Sequence, residues 1–273
     1  MELSSSAVTF LILTSFAFWS SLYGLFCYFN PHRSYEWNCR FVTLIHAVTI
    51  VVLSYVFGIY YNPWPFTHPG GKSSFHEICT MVVCLGYFLY DICWCVWFFN
   101  AQDSEAVIML VHHLITIIGI LAALIYGHSG TEVGATIFGA ELSNPFLQIR
   151  WFMRESGLKE TIPYEINDLL FVLSFTICRI VIGTYFMYCE LTHPLPALFF
   201  KFGALALYLV SWLLMYNIAI FVYRKYFKVL SKFWQGTVKS DKDSLDISAN
   251  SSVPVSRNAE DVRHRNGHAS SSR

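Results

Sequence analysis

The chain has 273 residues, of which 55% are hydrophobic and only 13% are charged. A soluble globular domain carries about 25% charged residues, so the composition excludes an ordinary soluble protein and indicates a membrane protein. Lysines and arginines number 18, as do aspartates and glutamates, and this even balance gives no sign of nucleic acid as a partner.

Apolar runs long enough to cross a bilayer recur along the chain, and about 20 residues suffice at a rise of 1.5 Å each. The clearest runs are residues 7–29, 41–61, 78–99, 106–126, 168–189 and 198–222. A weaker run, 131–153, contains Glu141, Asn144, Pro145, Gln148 and Arg150, and suits only a helix surrounded by others. The first run is too long for a signal peptide, so we predict a retained helix. The fold class predicted is all-α, a polytopic bundle of about seven transmembrane helices.

Loop charges test the weak segment, because basic residues concentrate in cytosolic loops. Arg224, Lys225, Lys228 and Lys232 follow the last run and predict a cytosolic C-terminus. Counting back over seven spans places Arg33, Arg40 and the basic loop 153–167 in the cytosol, and places the loop 62–77 outside. Six spans would move Arg33 and Arg40 outside. The charges therefore favour seven spans and a lumenal or extracellular N-terminus.

Three regions are predicted: a first transmembrane helix (1–29), a multi-helix membrane domain (30–225) and a cytosolic tail (226–273). The segment around the start of the tail, 223–234, is basic and aromatic and is predicted to lie along the inner leaflet. The remainder is polar and is predicted to be disordered. The tail offers a binding segment for cytosolic partners, which leaves open the function of a membrane trafficking adaptor.

Ionisable residues inside membrane spans are costly and usually face a cavity or one another. Counted from the cytosolic ends, His46 lies about 8 Å deep, His112 and His113 about 10 Å, Asp91 about 12 Å, and Glu141 and Arg179 about 16 Å. Independent placement would scatter these residues over the roughly 30 Å core. The shared depth predicts a polar cavity that opens toward the cytosol.

Structural roles are open alternatives for these residues. His46 could serve only to hydrogen-bond a neighbouring helix. Asp91 and Arg179 could form a buried ion pair, or Arg179 could pair with Glu141 instead. Neighbours on a helix point about 100° apart, so at most one of His112 and His113 can aim at the centre of a cavity.

Familiar catalytic and metal-binding motifs are missing from the sequence. No HxxxxD, HExxH, GxSxG, GxGxxG or phosphate-binding loop occurs. The eight cysteines include no CxxC pair and fall mostly in or beside apolar runs, so they are predicted to be reduced and structural. We therefore predict no metal and no cofactor.

The chain resembles the TLC domain family over roughly residues 30–225. The resemblance is carried by the histidine pair, by an acidic residue about 29 positions later and by several segments: 35–37, 39–44, 63–70 (PWPFTHPG), 85–95 (LGYFLYDICWC), 129–133, 144–157 and 207–212. It implies that the last six helices form a TLC domain. It also favours the endoplasmic reticulum over the plasma membrane.

The ceramide synthase branch of this family implies an acyltransferase that uses acyl-CoA as co-substrate. Its histidine pair matches His112 and His113, but Glu141 and Asn144 stand where it has two aspartates. Glutamate can still orient an imidazole, whereas asparagine is neither charged nor basic. The catalytic residues implied for an enzyme are therefore His112, His113 and Glu141, and catalysis stays open.

The leading hypothesis is a multi-pass membrane protein of lipid homeostasis, with membrane lipids as its partners. It would hold a lipid or acyl chain in a cavity lined by His46, Asp91, His112, His113, Glu141, Asn144 and Arg179. A ceramide-synthase-like N-acyltransferase and a trafficking adaptor are the alternatives.

Overall fold

A computed structural model describes residues 4–99, 102 and 104–251. Side chains are described for residues 4–99, 102 and 106–227. The helices are α1 Ser5–Phe29, α2 Tyr35–Tyr55, α3 Phe75–Trp97, α4 Ser104–Tyr126, α5 Gly130–Glu141, α6 Asn144–Glu155, α7 Ile162–Phe175, α8 Gly183–Thr192 and α9 Leu198–Ser251. Two π-helical segments, Val56–Tyr60 and Thr176–Ile182, extend α2 and join α7 to α8. The described residues contain no strand beyond an isolated bridge between Lys72 and His128, so the predicted all-α class is confirmed.

Helical stretches of membrane-spanning length match the six clear apolar runs, and this chain is a multi-pass membrane protein. They are Ser5–Phe29, Tyr35–Tyr60, Phe75–Trp97, Ala106–Tyr126, Ile162–Thr192 and Leu198–Phe227. Ser4, Ser34 and Ser74 cap the first three, each accepting a bond from the backbone amide three residues later. The Glu77 carboxylate in turn accepts a bond from the backbone amide of Ser74, which completes a capping box. These caps satisfy amide groups at the helix ends that have no partner within the helix.

The weak seventh segment is divided into α5 and α6, each of 12 residues, on either side of Leu142 and Ser143. Each half is about 18 Å long and is too short to cross a bilayer alone. Helices α5 and α6 nevertheless pack one after the other along α2 and its π-helical extension. A Cβ on Gly134 would lie 3.3 Å from the Cα of Gly58, and the Phe152 ring packs 5.2 Å from the Trp37 ring. These contacts place α5 and α6 along α2, and the described residues contain six helices of membrane-spanning length where the sequence predicts about seven spans.

The packing of α1 on α3 depends on Gly86. A Cβ at this position would lie 2.2 Å from Oγ of Ser15 and 2.8 Å from the backbone nitrogen of Phe16. The Ser15 hydroxyl donates to the carbonyl oxygen of Val83 at 3.3 Å across the same contact. Small residues let membrane helices approach closely in this way.

Gly86→Ala is therefore expected to push α1 away from α3 and to lower the free energy of unfolding by about 1–3 kcal/mol, the usual cost of overpacking. Gly119→Ala in α4 is the matched control, because a Cβ there meets nothing within 4 Å. We expect the control to be neutral or stabilising, since alanine favours a helix by up to about 1 kcal/mol. Unfolding in detergent micelles measures both variants, and equal stabilities would show that the α1–α3 contact can adjust.

The last helix continues past residue 226, where the predicted tail begins. Residues 1–219 form one compact unit and residues 220–273 another, and α9 continues to Ser251. No proline occurs between Pro196 and Pro254, so nothing in the sequence forces an earlier end. Residues 252–273 of the predicted tail lie outside the described residues.

Candidate functional site

A cavity of about 550 Å³ lies within the unit formed by residues 1–219. This volume falls in the range of roughly 300–1,000 Å³ that small-molecule sites occupy. Its wall is mostly apolar and is formed by the π-helical segment Val56–Tyr60, the loop before α3, α3, α4, α5, the segment 178–187 and α9. Ile59, Phe66, Phe88, Ile137, Phe186 and Leu207 are among the apolar lining residues. Such a wall suits a ligand that is itself largely hydrocarbon.

The histidine, acidic and basic residues on this wall are His112, Glu141 and Arg179, all of which the sequence predicts as cavity residues. His112 and Glu141 are 6% and 5% exposed. The Arg179 guanidinium donates from Nε to the carbonyl oxygen of Ala140 at 3.1 Å, and Nη2 contacts the same oxygen. Arg179 is thus tied to the end of α5 beside Glu141. The cavity combines an apolar wall with a small set of polar groups.

Arg179 projects from the π-helical segment Thr176–Ile182. The wider turn of a π-helix changes the direction of its side chains, and such turns are frequent at functional sites. Two glycines adjoin this segment, since Cβ atoms on Gly183 and Gly139 would lie 3.4 and 3.8 Å from the Cys178 carbonyl oxygen. No motif in the sequence predicts this turn.

Glu141 is positioned by a chain of amide side chains that runs along α6. Nδ2 of Asn144 donates to Oε2 of Glu141 at 2.8 Å. Nε2 of Gln148 donates to Oδ1 of Asn144 at 2.9 Å, and Nη1 of Arg40 donates to Oε1 of Gln148 at 3.4 Å. An aspartate in place of Asn144 could not donate unless it were protonated, and it would oppose a second carboxylate. Asn144 thus supports Glu141 but is not among the lining residues.

The two adjacent histidines have different surroundings. Nε2 of His113 lies 2.8 Å from Oδ2 of Asp91, and its Nδ1 lies 2.6 Å from the carbonyl oxygen of Met109. Neither His113 nor Asp91 is among the residues that line the cavity. The alternative that paired Asp91 with Arg179 is not what the structure shows, because Asp91 pairs with His113. Only His112 of the pair reaches the cavity, as the 100° offset between helical neighbours requires.

His46 lies in the packing between helices and does not line the cavity. The ring is 0% exposed and stacks on Tyr87 at 3.6 Å, with the Trp19 ring 5.3 Å away. Neither ring nitrogen has a hydrogen-bond partner among the described residues. His46 therefore contributes ring packing, and the hydrogen bond considered for it is not observed.

The cavity extends toward the loop before α3, where Trp64, Pro65 and Phe66 line it. Loop charges predict this loop on the non-cytosolic side, whereas the depth of the polar residues predicted an opening toward the cytosol. Tyr185 and Phe186 also line the wall, and Phe66 stacks on Tyr185 with ring centroids 5.4 Å apart. These aromatic residues are not among those that the sequence predicts to line the cavity.

Buried acidic residues that the sequence analysis also missed hold this loop in place. Oε1 of Glu132 accepts a bond from the Gly70 amide at 2.8 Å, and the Thr131 hydroxyl donates to Oε1 of Glu77 at 2.8 Å. Gly70 has a φ of +80° and passes close to Pro196, so a side chain there would clash. The spacing of Ser74 and Glu77 fits a capping box and is a signal that could have identified Glu77.

Comparison with known proteins gives consistent matches. The family model described as TLC domain matches residues 36–228, a range that contains every residue of the cavity wall. Protein CLN8 of Homo sapiens is 30% identical over 80 residues, 29% of this chain and 27% of that protein. TLC domain-containing protein 4-B of Xenopus laevis is 27% identical over 162 residues, 59% of this chain and 60% of that protein. TLC domain-containing protein 4 A of Dictyostelium discoideum is 24% identical over 147 residues, 53% of this chain and 55% of that protein. The chain thus spans less than two thirds of the length of each relative.

Proposed function

Because this chain belongs to the TLC domain family, whose model covers most of its length, we propose that it binds a lipid or a fatty acyl chain inside the membrane domain and acts in membrane lipid homeostasis. The observation that carries this proposal is the cavity of about 550 Å³, apolar over most of its wall, with His112, Glu141 and Arg179 on it. A ligand with a hydrocarbon chain and a polar group would match this apolar wall and its few polar residues.

The free energy of binding comes mainly from the apolar wall. Each buried methylene contributes about 0.8 kcal/mol relative to water, although a lipid that enters from the bilayer gains less because it leaves an apolar environment. The polar residues then decide which lipid binds. Arg179 can donate to an anionic or carbonyl oxygen, and Glu141 can accept from a hydroxyl or an amine. The bound lipid would therefore carry both an acyl chain and a hydrogen-bonding head.

Filling the cavity is expected to remove the lipid effect without unfolding the protein. Ala204 lines the cavity from α9, and Ala204→Phe places an aromatic ring in the space for a chain. Ala206→Phe is the matched control, because Ala206 is two residues away on the same helix and is not among the lining residues. We expect Ala204→Phe to lose most of the lipid that copurifies with wild type and to abolish the change in cellular lipid classes upon expression. Lipid mass spectrometry at matched protein levels measures both effects.

The proposal fails if Ala204→Phe retains the bound lipid and the lipid profile of the wild type. It also fails if Ala206→Phe loses both to the same extent, since the effect would then not depend on the cavity.

An N-acyltransferase that uses acyl-CoA is the second candidate, and one observation favours it: an imidazole and a carboxylate, His112 and Glu141, line the same cavity. His112 would act as the general base that accepts a proton from the attacking amine, since His113 is bonded at both ring nitrogens. Asn144 would hold Glu141 in place without adding a second negative charge.

We further propose that the protein resides in the endoplasmic reticulum with its C-terminus in the cytosol. Loop charges support the orientation, and the resemblance to the family supports the compartment. Antibody access to a C-terminal epitope, after selective permeabilisation of the plasma membrane, tests the orientation.

A further inference from the structure

Outside the cavity wall, three chemically different ligand groups meet between α3 and α4. Asp91, Cys95 and His113 each offer one ligand atom, and these atoms all lie within 4.8 Å of one another. Asp91 and Cys95 are four residues apart, so they share one face of α3, and His113 faces them from α4. Nε2 of His113 is 2.8 Å from Oδ2 of Asp91, and Sγ of Cys95 is 3.9 Å from the same oxygen.

The histidine is held as a metal-binding histidine usually is. Its Nδ1 lies 2.6 Å from the carbonyl oxygen of Met109, which can only accept, so Nδ1 donates and Nε2 faces the other ligand groups. A ring that donates through one nitrogen to a backbone carbonyl is fixed in tautomer and orientation for binding a metal through the other.

Distances and charge both suit a tetrahedral divalent ion. Two ligand atoms bound to the same tetrahedral zinc ion are about 3.3–3.6 Å apart. The separations observed here, 2.8 Å from His113 to Asp91 and 3.9 Å from Cys95 to Asp91, lie on either side of that range. A thiolate and a carboxylate carry two negative charges, so an ion of charge +2 gives a neutral group. Neutrality matters because the side chains of His113 and Asp91 are only 5% and 13% exposed, inside helices of membrane-spanning length.

We propose that Asp91, Cys95 and His113 bind a divalent transition metal of the zinc class, with the fourth position left to water or to another ligand. Mixed sulfur, nitrogen and oxygen ligands select such ions over magnesium and calcium. The ion would link α3 to α4 behind Phe88, which lines the cavity and packs 5.1 Å from His113. This proposal is independent of lipid binding and replaces the sequence-based prediction of no metal.

The test uses the full-length protein, purified through a tag without histidine and treated with a chelator. Titration with Co²⁺ reports thiolate ligation by a ligand-to-metal charge-transfer band and tetrahedral geometry by intense visible bands. Cys95→Ser is compared with Cys93→Ser, whose thiol is exposed on the same helix. We expect wild type and Cys93→Ser to bind one ion with the thiolate band, and Cys95→Ser to lose that band. Asp91→Asn is expected to weaken binding by more than the roughly 10–100-fold that loss of an outer partner costs.

A second measurement needs no substitution. Zn²⁺ should protect Cys95 of the wild type from alkylation, as mapped by peptide mass spectrometry, while Cys93 stays reactive. The proposal is overturned if Co²⁺ gives no thiolate band with the wild type, if the band survives Cys95→Ser, or if Zn²⁺ leaves alkylation of Cys95 unchanged.

Discussion

Replacing Asp91 by alanine is expected to lower the free energy of unfolding by about 3–5 kcal/mol, the usual cost of removing one partner from a buried ion pair. The His113 side chain is 5% exposed, and its Nε2 contacts Asp91 at 2.8 Å. Because Nδ1 already donates to the Met109 carbonyl, the ring cannot turn to another partner without breaking that bond as well. The substitution therefore leaves a buried imidazole unpaired.

Denaturation in detergent micelles, with a chelator present throughout, measures this loss for the metal-free protein. Glu36→Ala is the control, because Glu36 also pairs with a basic residue, Arg40 at 2.9 Å, but these side chains are 48% and 34% exposed. Exposed pairs contribute about 0–1 kcal/mol. Equal losses for Asp91→Ala and Glu36→Ala would contradict the assignment of Asp91 and His113 as a buried pair.

His112→Ala is expected to remove the lipid phenotype while costing less stability than Asp91→Ala. His112 lines the cavity, and its buried Nδ1 has no hydrogen-bond partner among the described residues, so the substitution breaks no such bond at that atom. Lipid mass spectrometry of cells expressing the variant at matched levels measures the phenotype. His32→Ala, at an exposed histidine in the loop before α2, controls for loss of an imidazole. An unchanged lipid profile in His112→Ala would contradict a functional role for this residue.

The same variant separates lipid binding from acyl transfer. If His112 is a general base, purified His112→Ala should still retain lipid but lose at least about 100-fold in the rate of amide formation from acyl-CoA and a sphingoid amine. If the cavity only holds a lipid, wild type forms no such amide, and His112→Ala loses bound lipid instead. The two outcomes differ because loss of a general base lowers the reaction rate, whereas loss of a binding residue lowers the amount of lipid bound.

Much of the helical architecture can be predicted from the sequence because its signals are local. A run such as 106–126 predicts a membrane-spanning helix, because its 21 residues are long and apolar enough to cross a bilayer. Ser74 and Glu77 mark the start of α3 because a capping box involves only residues three apart. The polar residues of 131–153 correctly singled out a segment unlike the others, which the structure divides at Leu142 and Ser143.

The direction of each polar side chain depends on how the helices pack against one another. The sequence identifies the ionisable residues within the apolar runs and predicts a similar depth for them, because depth along a span follows from the helical rise. It could not separate His112, which faces the cavity, from His113, which faces Asp91, since that depends on the rotation of α4 about its own axis. Nor could it place Cys95 beside them or put Arg179 on a π-helical turn. Helix rotation and turn geometry depend on contacts between helices that are distant in sequence, and the spacing of these polar residues along the chain does not indicate them.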